Sequence, residues 1–181
     1  MMKSRIARFF TTILSTSLVL ALAAQGVSAQ TMEQTWGKIS FQTALPFSPP
    51  LEIGLDAVAL IHPPESGMGE EQMEITLARV SQVVQESMNN NDEEVIAYIK
   101  TTFFGLTDPA STSVVRIFQG QQITGQSQSI DFPNDAELEY FLVPLADGSK
   151  IFVAFKWALN FSREQVEEII SAVSLSFRET E

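Results

Sequence analysis

His62 is the one imidazole in a chain of 181 residues that contains no cysteine. Disulfides, thiolate zinc sites, cysteine nucleophiles and lipidated N-terminal cysteines are excluded at once, as is any mechanism needing two histidines. A Ser-His-Asp relay would have to pass through His62. No G-x-S-x-G elbow presents a serine, and Ile61-His62-Pro63-Pro64 reads as a strand running into a rigid loop. No catalytic residue is assigned, and the chain is read as non-enzymatic.

Carboxylates are the remaining reactive groups. The densest cluster is Asp131, Asp135, Glu137 and Glu139, with Asp131 and Asp135 bracketing Pro133-Asn134. Paired carboxylates can run acid–base or glycosidic chemistry. Oxygens gathered in such a loop also suit Ca²⁺, so Asp131, Asp135 and Glu137 are the candidate metal ligands, although the spacing is not that of an EF-hand. The competing reading is a turn whose Asp and Asn side chains cap their own backbone. Asp92-Glu93-Glu94 reads as the acidic first turn of a helix. Glu65-Ser66-Gly67-Met68-Gly69-Glu70-Glu71 reads as an exposed acidic loop, and its glycines lack the pattern of a phosphate-binding loop.

Charge narrows the partners. There are 22 Asp+Glu against 11 Lys+Arg, a formal net charge of −11. Nucleic acid and anionic lipid both demand a basic surface and are disfavoured; a basic protein partner would be steered in. A hydrophobic fraction of 45% is that of a folded chain.

The N-terminus reads as a secretory signal peptide over residues 1–29. Lys3, Arg5 and Arg8 precede the apolar run Phe9–Ala24, and Val27-Ser28-Ala29 offers small residues before a cut between Ala29 and Gln30. Sixteen helical residues rise about 24 Å, short of a hydrocarbon core of about 30 Å. Export to a periplasm or the exterior, or to a thylakoid lumen if the source is photosynthetic, is therefore expected, with no stable membrane insertion after cleavage. Processing removes three basic residues and no acidic one, leaving −14 on residues 30–181. Those residues are expected to form one domain.

The elements that must position these side chains follow from periodicity. The segment from Thr31 to Glu71 is strand-like but broken by Pro46, Pro49, Pro50, Pro63 and Pro64, which belong at edges and in loops. Met73, Ile75 and Leu77 alternate as a strand, and Ser81–Met88 fits either strand or helix. Asn91 caps a helix that Gly105 can stop, with Val95, Ile99, Thr102, Phe103 and Leu106 on one face. Thr112–Phe118 is a β-branched strand followed by a glutamine-rich stretch, Gln119 to Gln128, expected to be the wet face of a sheet. Ser162 and Gln165 form a capping box for a terminal helix, with Val166, Ile169, Ile170, Val173 and Phe177 as its apolar stripe.

Between them, Asp147-Gly148 predicts a two-residue type I′ hairpin turn. That turn sets Leu138 opposite Trp157, Tyr140 opposite Phe155, Leu142 opposite Val153 and Pro144 opposite Ile151. It also predicts an ion pair between Glu139 and Lys156. Phe103, Tyr140, Phe155 and Trp157 could then line a pocket between hairpin and helices, which would make the protein a small-ligand or Ca²⁺ carrier.

Strands followed by a packed terminal helix give an α+β fold, an antiparallel β-sheet packed by helices. The -DG- hairpin (Val143-Pro144-Leu145-Ala146-Asp147-Gly148), its returning strand and a helix ending in Ser-Leu-Ser-Phe (Ser174–Phe177) resemble the PsbP-like α/β/α sandwich superfamily. The likeness spans about Ser113–Phe177. It implies an α/β/α sandwich and an accessory or binding role without enzymatic activity or cofactor. Some members hold metal through histidine and carboxylates; with His62 alone, no metal residue is carried over. The sequence as a whole thus points to an exported, non-enzymatic accessory protein acting through contacts of an acidic surface with a basic protein.

Overall fold

The computed structural model describes residues 31–54, 56–68, 70, 72–107, 111–130 and 135–180. The expected signal segment and its Ala29–Gln30 cut lie outside them, as does Asp131.

Two antiparallel sheets carry the fold. Strands β1 (Met32–Trp36), β2 (Ile39–Thr43) and β10 (Arg178–Glu179) make a small sheet in the order β1-β2-β10. The large sheet runs β3-β4-β5-β9-β8-β7-β6, from β3 (Leu51–Glu52), β4 (Ala57–His62) and β5 (Met73–Val80) through β9 (Lys150–Ala158) and β8 (Ala136–Pro144) to β7 (Gln121–Ile130) and β6 (Thr112–Phe118). The prolines of the first third fall between strands, as proline's missing N–H requires.

Helices cover both faces. α1 (Gln82–Ser87) and α2 (Asp92–Phe104) connect β5 to β6, and α3 (Arg163–Ser176) follows β9. Ser81–Met88 resolves as helix because Ser81 Oγ accepts from Val84 N–H and caps it. The carboxamide oxygen of Asn91 accepts from the N–H groups of Glu93 and Glu94, and Gly105 closes α2 in the left-handed region at φ 65°. Ser162 caps α3 as its spacing with Gln165 predicts.

Strand alternation divides the core between the faces. Met73, Ile75, Leu77, Phe141, Val143, Ile151, Val153 and Phe155 point to α3 and the small sheet, meeting Val166, Ile169, Ile170 and Val173. Ala78, Val80, Leu138, Tyr140, Leu142, Phe152 and Ala154 point to α2, meeting Val95 and Ile99. The fold is α+β, with helix layers on either side of the sheet.

The β8–β9 hairpin forms, but in a different register. Tyr140 lies opposite Ala154, Leu142 opposite Phe152, Phe141 opposite Val153 and Glu139 opposite Phe155. Its turn supplies the reason. Leu145 N–H donates to Ser149 O at 2.9 Å and Gly148 N–H to Leu145 O at 3.1 Å, so the loop has three residues, Ala146-Asp147-Gly148. Only Gly148, at φ 81°, is left-handed, the arrangement of a type I turn closed by a glycine bulge. Asp147 instead accepts from both the N–H and the Oγ of Ser149. Two successive left-handed residues, the mark of a type I′ turn, occur at Gln119 (φ 51°) and Gly120 (φ 75°), between β6 and β7.

That single-residue shift undoes two expectations. Lys156 projects toward the α2 face, where its Nζ reaches Glu74 Oε2 at 2.7 Å, while Glu139 projects toward α3. Tyr140 and Phe155 stand on opposite faces, packed at 0% exposure, so Phe103, Tyr140, Phe155 and Trp157 do not surround a common pocket.

Candidate functional site

A charged side chain turned toward the core is the local feature from which the site grows. In β6, alternation puts Val114, Arg116 and Phe118 toward α3, so Arg116 sits on an otherwise apolar face. Its guanidinium crosses β7 to reach Glu139 on β8, with Nε at 3.2 Å and Nη2 at 3.0 Å from Oε2. It also reaches α3, donating from Nη1 to Glu167 Oε2 at 2.7 Å and from Nη2 to Oε1 at 3.0 Å. One cation thus serves two carboxylates, leaving one negative charge in excess.

The two acids respond oppositely. Burial pushes the Glu139 carboxyl above the usual range of a glutamate, and the neighbouring Arg116 recovers only part of that rise. The hydrogen bond from Arg116 holds Glu167 below the usual range, against a smaller opposing effect of burial. Arg116 itself is raised, first by its bond to Glu167. Arg116 is therefore a fixed cation, and Glu167, with 42% of its side chain exposed, is the ionised, solvent-facing partner.

Beside this cluster opens a cleft of about 300 Å³ between the end of the sheet and the start of α3. Glu137, Glu139 and Glu167 supply its acids, while Trp157, Leu159 and Phe161 supply apolar walls. Arg163 at the mouth helps keep both Glu139 and Glu167 ionised, with no ion pair of its own among the described residues. Leu159 is 59% exposed. Acids flanked by an indole and a phenyl ring suit a lysine or arginine side chain, whose stem packs on the rings while its head meets carboxylate.

The residues singled out from sequence are dispersed. Glu137 reaches the cleft, accepting from Ser129 Oγ at 2.8 Å. Asp135 precedes β8 and is exposed. Among the described residues no three His, Asp or Glu side chains come together as a metal site. His62 ends β4, its Nδ1 2.6 Å from the Pro46 carbonyl and its ring between Phe47 and Phe161. Asp92 pairs with Lys150, the helix-start role read from sequence plus one cross-link to β9. Within the acidic loop, Gly69 and Glu71 lie outside the described residues. Arg116, the hub of the cluster, was missed. The signal was available: a lone charge in the alternating run TSVVRIF, on the face of Val114 and Phe118.

No protein-family model matches the chain, and no curated protein matches it in sequence. Among solved structures, the Saccharomyces cerevisiae Ran-binding protein Mog1p aligns with a TM-score of 0.55 at 9% identity, over 85% of this chain and 97% of that one. A Mog1 mutant aligns with a TM-score of 0.53 at 10% identity, over 83% of this chain and 96% of that one. At such identities the likeness is one of fold. The α/β/α layering expected from the PsbP-like resemblance is the layering observed.

Proposed function

We propose that this is an exported, non-enzymatic accessory protein that binds a basic protein partner, and that the cleft of Glu137, Glu139, Glu167, Trp157 and Phe161 receives a cationic side chain of that partner. The observation that carries the reading is the three-carboxylate wall beside exposed apolar surface, with one carboxylate in excess over Arg116. The charge of −14 on residues 30–181 supports it by steering a basic surface toward the chain. So does the shared fold: Mog1p is named for binding another protein, Ran. Export is part of the proposal on the evidence of residues 1–29, and sequencing the mature protein from its N-terminus should begin at Gln30.

Affinity capture from a native extract tests the binding claim. At low salt the full chain should retain a specific basic protein that is lost at high salt, because exposed charge pairs are screened. A double variant, Glu137→Lys with Trp157→Ala, should fail to retain it. Capture of nothing under gentle conditions, or undiminished capture by the double variant, would reject the proposal.

A further inference from the structure

The large sheet ends in two unlike edges. At one end β3 is only two residues, Leu51–Glu52, directly after Pro49-Pro50, a blunted edge. At the other end β6 offers seven consecutive residues, Thr112–Phe118, without proline, and no strand among the described residues lies beyond it. Its one charge, Arg116, is turned inward to Glu139 and Glu167 and does not guard the edge.

The turn at Gln119-Gly120 dictates which backbone groups face out. In a two-residue hairpin the closing pair, Phe118 and Gln121, exchanges both hydrogen bonds with its partner strand. Antiparallel alternation then directs the N–H and C=O of Ile117, Val115 and Ser113 away from β7, into solvent. Two of these residues present apolar side chains on the α2 face, Val115 54% and Ile117 42% exposed. On the α3 face the strand is flanked by Arg116 and the exposed carboxylate of Glu167.

We infer that the outer edge of β6 binds an extended segment of a protein partner as an added strand, alternating apolar and basic residues. Its apolar side chains would lie beside Val115 and Ile117. Its basic ones, on the other face, would reach the exposed carboxylate of Glu167. Neighbouring strands lie about 4.8 Å apart, within reach of a lysine stem. Charge complementarity selects this occupant over a second copy of the chain, which would bring another −11 to the same edge. The inference rests on the binding role proposed above and adds how the partner is held.

The probe is an acetylated, amidated heptapeptide alternating lysine and valine, titrated into the full chain at low salt, beside the same peptide N-methylated at alternate residues. Main-chain pairing requires the N-methylated peptide to bind at least about tenfold more weakly. Val115→Pro, which removes an outward N–H and no bond to β7, should weaken the unmodified peptide similarly while leaving circular dichroism and melting nearly unchanged. The N-methyl comparison, made on the unaltered chain, decides the matter even if the proline variant does not fold. Equal binding of both peptides overturns the inference but leaves the acidic-surface proposal standing. Failure of the unmodified peptide to bind also overturns it, and capture from extract then judges the broader proposal separately. Sedimentation showing a dimer that Val115→Pro dissociates assigns the edge to a second copy and overturns it as well.

Discussion

Arg116 and Glu139 stand on strands separated by β7, yet Nε of the first donates to the carboxylate of the second at 3.2 Å and Nη2 to both of its oxygens at 3.0 Å. The pair ties β6 to β8 beneath α3. Glu139 is 7% exposed, so its charge depends on that contact.

Removing the cation alone should therefore cost more than removing both charges. Arg116→Met strands a buried carboxylate and is expected to destabilise the fold by about 3 kcal/mol. Adding Glu139→Leu should return most of that loss, because an apolar pair in place of a buried ion pair is often neutral. Urea unfolding of the two single variants and the double variant measures the coupling; additive losses would show that the pair is not coupled.

The two glutamates should give stability profiles of opposite slope. Glu167 is lowered in the folded state, so its stabilisation is complete above the ordinary glutamate range and disappears as pH falls through its folded value. Glu167→Gln should thus cost stability near neutrality and little in acid. Glu139 is raised, so its ionisation disfavours folding increasingly as pH rises from the ordinary range through its folded value. Relative to the parent chain, Glu139→Gln should improve with rising pH across that window. Denaturant midpoints at pH 4 and pH 7 report both trends.

Gly125 leaves room for its neighbours. A Cβ there would lie 2.3 Å from both Phe141 Cδ1 and the Tyr140 carbonyl oxygen. Gly125→Ala should cost about 1–3 kcal/mol through overpacking, read as a lowered melting temperature. A melt matching that of the parent would mean that β7 and β8 are not this close in solution.

At α2, Asn91→Ala removes the acceptor for two helix N–H groups and should cost about 1 kcal/mol. The first turn should fray before the rest of the helix, which amide hydrogen exchange at Glu93 and Glu94 detects.

Short-range chemistry was written in the chain. Asn91 and Gly105 bound one helix, Ser162 opens another, and the 3.6-residue apolar stripe through Val166, Ile169, Ile170 and Val173 names its buried face, because caps and periodicity act within a few residues. The existence of the β8–β9 hairpin was equally legible. Its register was not, since Asp-Gly serves a two-residue type I′ turn and a three-residue bulged loop alike. In β8 and β9 both faces are apolar, so the shifted register also buries them: Phe141, Val153 and Phe155 go to α3, and Tyr140, Leu142 and Phe152 to α2. Alternation could not reject it.

The cleft belongs to the tertiary structure alone. Arg116 meets partners 23 and 51 residues further along the chain, and nothing local to β6 says which acids those are. Strand alternation sets Arg116 on an apolar face, where a charge must find a counter-charge, a signal that went unread in the sequence; the order of strands and the line of α3 decided that Glu139 and Glu167 provide it. Composition likewise favoured a basic partner through net charge, a sum that needs no coordinates. Where that partner could dock depends on which carboxylates stay exposed and which strand edge stays open, and those are outcomes of packing.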